Sequence, residues 1–235
     1  MKKRAFIIAI CVCLAAAIAC GTLAFFTSTS SKTNKFMTAA YDPSNPNPDP
    51  DDIFSVEVLE DTKADPTNPK SVGSDKKNAK GGYDYENLLP GSEAAKKVSV
   101  KNTGEYGQYV RVKVTVSKAS KWQAFYKSTT VNLAEKLCDI DKTNWELANT
   151  SARDAAKDTI TYTYNYSKSG VGTVLAAGKE TVKPLFTKVT IPAEGFDADD
   201  FNSVDGFEVT VLAEAIQSDY TGTIAQAFTA YEAQN

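Results

Sequence analysis

Hydrophobic and polar positions alternate along several short stretches of this chain. The clearest is residues 109–117, where Val110, Val112, Val114 and Val116 fall on one face and Arg111, Lys113 and Thr115 on the other. A period of two predicts a strand with one face on a core and the other wet, the antiparallel pattern. Residues 95–102 predict the strand before it, across Thr103-Gly104-Glu105-Tyr106-Gly107. Further strands are expected at 53–60 (Phe54, Val56, Val58), 144–148 (Trp145), 159–167 (Tyr162, Tyr164, Tyr166), 182–191 and 207–216 (Phe207, Val209, Val211). Leu89-Pro90-Gly91 is a turn signal, and residues 61–83 read as a long surface loop. The alternation lapses over 119–139, where 130–138 fits a short helix. Ile224, Ala227, Phe228 and Tyr231 fall at helical spacing near the end of the chain. Many short strands with turns between them predict a mainly β chain: an antiparallel β-sandwich with a few short helical insertions and a short C-terminal helix.

The first 24 residues follow a different pattern. Met1-Lys2-Lys3-Arg4 is a basic head, residues 5–20 carry no charge, and small residues surround Gly21-Thr22-Leu23-Ala24. This is the layout of a secretory signal peptide, with Thr22 and Ala24 small enough for the peptidase pockets and Phe25 as the new N-terminus. A cut after Ala19, lipidation of Cys20, or retention of residues 5–26 as a span are the alternatives. Residues 25–40 are rich in Ser and Thr, with Phe25, Phe26, Phe36 and Met37 near the two ends. Residues 41–52 contain Pro43, Pro46, Pro48 and Pro50, which exclude a helix or a central strand and predict an extended linker. Residues 53–235 are then the sandwich domain.

Composition narrows the chemistry. With Lys2, Lys3 and Arg4 removed, 23 basic residues face 29 acidic ones, a formal charge of −6. An acidic domain of this kind is a poor nucleic-acid binder. Histidine is absent, which excludes a Ser-His-Asp triad, a Cys-His pair and an HExxH zinc site. Cys138 alone remains after the signal, so an intrachain disulfide is excluded. It reads as a buried small hydrophobe or as an intermolecular bridge or nucleophile.

Asp197, Asp199 and Asp200 are weak calcium candidates, since a hard cation wants several oxygens. The competing reading is a solvated loop capping a short helix, because no glycine-bearing calcium loop surrounds them. Asp139-Ile140-Asp141 opens like a calcium loop but has Asn144 at position six and Thr150 at position twelve. The row Tyr162, Tyr164, Tyr166 is either a stacking surface for a glycan or partner, or a core row with its hydroxyls at the rim. No spacing of Ser and carboxylates marks a nucleophile with its base, and no cofactor is expected.

Three blocks resemble one known family. Gly21-Thr22-Leu23-Ala24-Phe25-Phe26-Thr27-Ser28 and Lys32-Thr33-Asn34-Lys35-Phe36 are similar to the export junction of the TasA and camelysin family. So are Asn87-Leu88-Leu89-Pro90-Gly91-Ser92, Val98-Ser99-Val100-Lys101-Asn102-Thr103-Gly104 and Tyr109-Val110-Arg111-Val112. Ser92 stands where the family has Asp. Pro184-Leu185-Phe186, Ile191-Pro192 and Ala213-Glu214-Ala215-Ile216-Gln217 are similar to its C-terminal strands. The resemblance implies a jelly-roll-like sandwich, release by a dedicated signal peptidase with no membrane anchor afterwards, and a secreted subunit of Gram-positive biofilm matrix. It further implies self-association into filaments, alone or with related matrix subunits, by donation of the segment holding Phe25, Phe26, Phe36 and Met37. A cell-surface adhesin using the tyrosine row is the alternative. Camelysin is also described as a protease, but this chain offers no constellation for catalysis and is read as no enzyme.

Overall fold

The computed structural model describes residues 27–31, 55–218 and 222–233. The expected signal with Thr22 and Ala24, the segment ends Phe25, Phe26, Phe36 and Met37, and the proline linker lie outside these residues. Among the described residues, ten strands and four helices follow in chain order. The strands are β1 (Thr27–Ser31), β2 (Val56–Asp61), β3 (Ser71–Val72), β4 (Glu93–Asn102), β5 (Gln108–Ser117), β6 (Trp145–Thr150), β7 (Thr159–Lys168), β8 (Val171–Gly172), β9 (Phe186–Thr190) and β10 (Val209–Gln217). The helices are α1 (Ala119–Phe125), α2 (Leu133–Leu137), α3 (Ala198–Val204) and α4 (Ile224–Glu232).

The strands form two sheets. One runs β1-β10-β5-β7-β6, with β8 paired to β7. The other is centred on β4, which pairs antiparallel with β2 and β9 and parallel with the two-residue β3. That parallel pair departs from the purely antiparallel reading and lies within the stretch expected to be loop. The two sheets share one core: Val56, Val58, Val98 and Val100 from the smaller meet Val110, Val112, Val114 and Val116 from the larger. The mainly β class is therefore as the alternation predicts.

Register explains which residues are inside. Val112 and Val114 stand opposite Ala213 and Val211 of β10 on one side, and opposite Tyr164 and Tyr162 of β7 on the other. Directly paired antiparallel residues share a face, so the valines carry the tyrosines into the core. The Leu-Pro-Gly turn ends at Gly91, whose φ of 87° suits a residue without Cβ. Its N–H donates to Ile191 O at 3.0 Å, which tethers the start of β4 beside β9.

The wet face predicted for β5 is not wet at Arg111, which is only 4% exposed. The reason is α4. Its Ile224, Ala227 and Phe228 pack with Ile216 of β10 and, in part, Tyr109 of β5. The helix lies across the outer face of the larger sheet. Strand 182–191 is also shorter than expected: Val182 is exposed and the regular strand runs only over Phe186–Thr190.

Trp122 of α1 is fully buried among Phe125, Tyr126, Phe196 and Phe207, with its ring 5.1 Å edge-on from that of Phe207. It joins α1 to the loops flanking α3. Trp122→Ala should therefore cost about 3–5 kcal/mol, read as a lower midpoint in urea unfolding followed by tyrosine and far-ultraviolet signals.

Candidate functional site

The tyrosine row is accounted for inside the fold. Tyr162, Tyr164 and Tyr166 are at most 3% exposed and present no stacking surface, so an exposed contact row is corrected to a core row. Their hydroxyls are used internally. Tyr162 accepts from Leu133 N–H at 3.0 Å and donates to Val131 O at 3.2 Å. Tyr164 meets the Asn132 side chain at 3.1 Å, and Tyr166 accepts from Val182 N–H at 3.2 Å. Asn132 also caps α2 by accepting from Glu135 N–H, so the row anchors that helix. Burial holds the Tyr164 hydroxyl well above its ordinary pKa, with Asn132 acting against it.

The other candidates are likewise bound into local structure. Asp197 caps α3, its carboxylate accepting from Asp200 N–H at 2.7 Å, and Asp199 and Asp200 lie in the first turn, where helix-dipole charge favours acids. No group of three metal-binding side chains occurs among the described residues. Asp139 accepts from the N–H groups of Thr187 and Lys188 at 2.7 and 2.9 Å, tying the end of α2 to β9. Cys138 is 3% exposed, and burial, then the nearby Asp139 carboxylate, raises its thiol pKa. A thiol held protonated is a poor nucleophile.

What remains is the rim of the larger sheet. β1 pairs antiparallel with β10 from Thr27↔Ile216 to Ser31↔Leu212. It comes from the segment read as a donor, and residues 32–55 separate it from β2. Those 24 residues, fully extended, reach at most about 80 Å. The opposite rim is β6, whose register shifts between Leu147 and Asn149. Bulges of this kind blunt an edge against further pairing.

Two features flank the β1–β10 pairing. On the outer face, Glu214 accepts from Arg111 Nε at 2.5 Å and from Lys113 Nζ at 2.7 Å. Arg111 also donates to Glu232 of α4 at 2.7 Å, and its guanidinium lies 4.3 Å from the Phe228 ring centroid. These contacts fasten α4 over β10 and β5. At the N-terminal end of β10, a groove of about 690 Å³ opens between the sheets. Its walls include Glu60 of β2, Lys96 of β4, Val209 and Val211 of β10, and Phe201 of α3. Lys96 Nζ stands 2.8 Å from Glu60 Oε1, both buried. Tyr85 roofs the groove, its hydroxyl donating to Ala95 O.

Sequence reasoning missed Glu214 and the role of Arg111. The available signal was an acid in the apolar run Val209-Thr210-Val211-Leu212-Ala213-Glu214-Ala215-Ile216, together with an amphipathic helix that needed a surface. The groove left no such trace, because its walls come from five separate stretches. No helix among the described residues is long and apolar enough to cross a membrane. No protein-family model, curated protein or solved structure matches this chain.

Two outcomes follow from these burials. Glu214→Ala removes the buried carboxylate that Arg111 and Lys113 share, and should cost about 3–5 kcal/mol. Glu232→Ala, at an exposed position, should cost about 1 kcal/mol or less. Denaturant midpoints of the two variants check the contrast. In the folded protein Cys138 should resist iodoacetamide at pH 8 and react readily in guanidinium, as read by mass spectrometry.

Proposed function

We propose that this chain is a secreted structural subunit of an extracellular matrix fibre, in the manner of the TasA and camelysin family, assembling by exchange of its N-terminal strand. The observation that carries the reading is the provenance of β1. A rim strand of the larger sheet is supplied from beyond 24 intervening residues. The same five pairs form whether the strand comes from its own chain or from a neighbour. Strand addition satisfies a sheet edge through backbone hydrogen bonds, and a head-to-tail contact that does not close propagates as a filament. The bulge in β6 supports the reading further, because it disfavours edge-to-edge growth at the other rim.

The signal-like N-terminus supports export by a dedicated peptidase, with related matrix subunits as natural partners. The adhesin alternative loses its contact row, since the three tyrosines are buried. Proteolysis has no support in a chain without histidine. The subunit acts by forming backbone hydrogen bonds, not by turning over a substrate.

The test is electron microscopy and sizing of the chain from Phe25 onward, beside the same chain carrying Thr29→Pro and Ser30→Pro. Two adjacent prolines remove whichever N–H faces β10. We expect filaments above a threshold concentration, lost in the proline variant and inhibited by an added peptide of residues 25–39. Filaments indifferent to the prolines would take β1 out of the mechanism. Monomers at every concentration would overturn unaided self-assembly.

A further inference from the structure

The groove between the sheets has the size and wall chemistry of a small-ligand site. Its 690 Å³ falls within the range, roughly 300–1,000 Å³, of clefts that hold small organic molecules. Its depth is apolar. Ala94 of β4, Val189 of β9, Val204 of α3 and Val211 of β10 all line it and are at most 5% exposed. Phe201 of α3 and Phe207 bring aromatic rings to the same wall.

The charge of the lining is one-sided. Five acids, Glu60, Asp84, Glu86, Asp205 and Glu208, face two lysines. Both lysines are already matched within the lining: Lys96 stands 2.8 Å from Glu60 in the depth, and Lys80 stands 2.8 Å from Glu208 at the surface. Glu86 meets Lys76, which lies outside the lining. Asp84 and Asp205 are left. Among the described residues, neither carboxylate has a lysine or arginine at ion-pair distance. The Asp84 carboxylate accepts from the Asn78 amide at 2.9 Å. Lys118 Nζ donates to the Asp205 main-chain carbonyl, not to its carboxylate. Both aspartates are exposed, so they belong to the rim while the valines form the depth. Tyr85 senses the same field. Burial first, and then the Glu60 carboxylate with Tyr83 and Asp61, holds its hydroxyl well above its ordinary pKa. A field that resists an anion at Tyr85 resists an anionic ligand beside it and favours a cation.

We propose that this groove binds a small organic cation, an ammonium group on an apolar body, with the body packed against Val189, Val204 and Val211 and the ammonium at the rim toward Asp84 and Asp205. The apolar body leaves water for a wall that is already dry. The ammonium stays partly hydrated and gains two carboxylates that have no cation of their own. An anion of the same shape meets the same walls and is repelled at the rim. The site is built from residues of one chain, so it stands whether or not the subunits assemble into fibres.

Isothermal titration calorimetry of the full chain tests it at neutral pH and low salt, with tryptamine as the cationic probe and indolepropionate as its anionic counterpart. Tryptamine should bind saturably at one site, and indolepropionate about tenfold more weakly or worse. Exposed ion pairs are individually modest, so Asp84→Asn with Asp205→Asn should weaken tryptamine by about tenfold and leave indolepropionate no weaker than before. Glu57→Gln, an exposed acid outside the lining, should change neither. Raising sodium chloride to about 0.5 M should reproduce the loss in the unaltered protein, a readout that needs no variant to fold. No saturable binding of tryptamine would overturn the proposal. So would equal binding of the two probes, or a double variant or high salt without effect.

Discussion

β10 is a strand that has to be paired along both edges, and much of the molecule is arranged to meet that requirement. Unpaired backbone groups in a buried strand are as costly as lost hydrogen bonds. β5 satisfies one edge over nine residue pairs, and β1 satisfies five positions of the other. The inner face of β10 joins the shared core through Val211, Ala213 and Ala215. Its outer face carries Glu214, the acid that organises Arg111 and Lys113 beneath α4. A segment from one end of the chain and a helix from the other thus converge on a single strand.

The ion pair illustrates how charge and packing divide the work. Arg111 and Glu214 are both nearly inaccessible, so removing either would leave a buried charge without its closest counter-ion. Phe228 covers the guanidinium face and Glu232 meets its rim. Burying the pair is compatible with stability because each charge finds close partners. Position also matters: a helix held by one directed fork cannot slide along the sheet as a purely apolar face could.

Much of the fold was legible because alternation is a local signal. The valines of β5 and the helical spacing of Ile224, Ala227 and Phe228 each identified an element and its buried face without reference to the rest of the chain. Pairing partners were not legible in the same way. Whether Tyr162, Tyr164 and Tyr166 face solvent or core is decided by register with β5, and alternation alone is symmetric between the two faces. Arg111 looked like a solvent-facing charge because nothing near it in sequence announces α4, more than a hundred residues later. The candidate site was half legible. The proline-rich separation of the N-terminal segment could be read directly, but the β10 edge it meets and the groove beside that edge exist only once distant stretches are brought together.

The separation between β1 and β2 has a consequence for what decides the partner of β1. Contacts made by the strand would be identical in the self-paired and the proposed exchanged arrangement, so they cancel in the comparison. What is left is the concentration at which a strand is presented to the β10 edge. A tether of this kind sets an effective local concentration on the order of millimolar, falling slowly as its length grows. On the proposed exchange, neighbouring copies compete only when their own concentration approaches that figure. The number of residues between β1 and β2 would then set a concentration threshold, with no change in any contact needed to tune it.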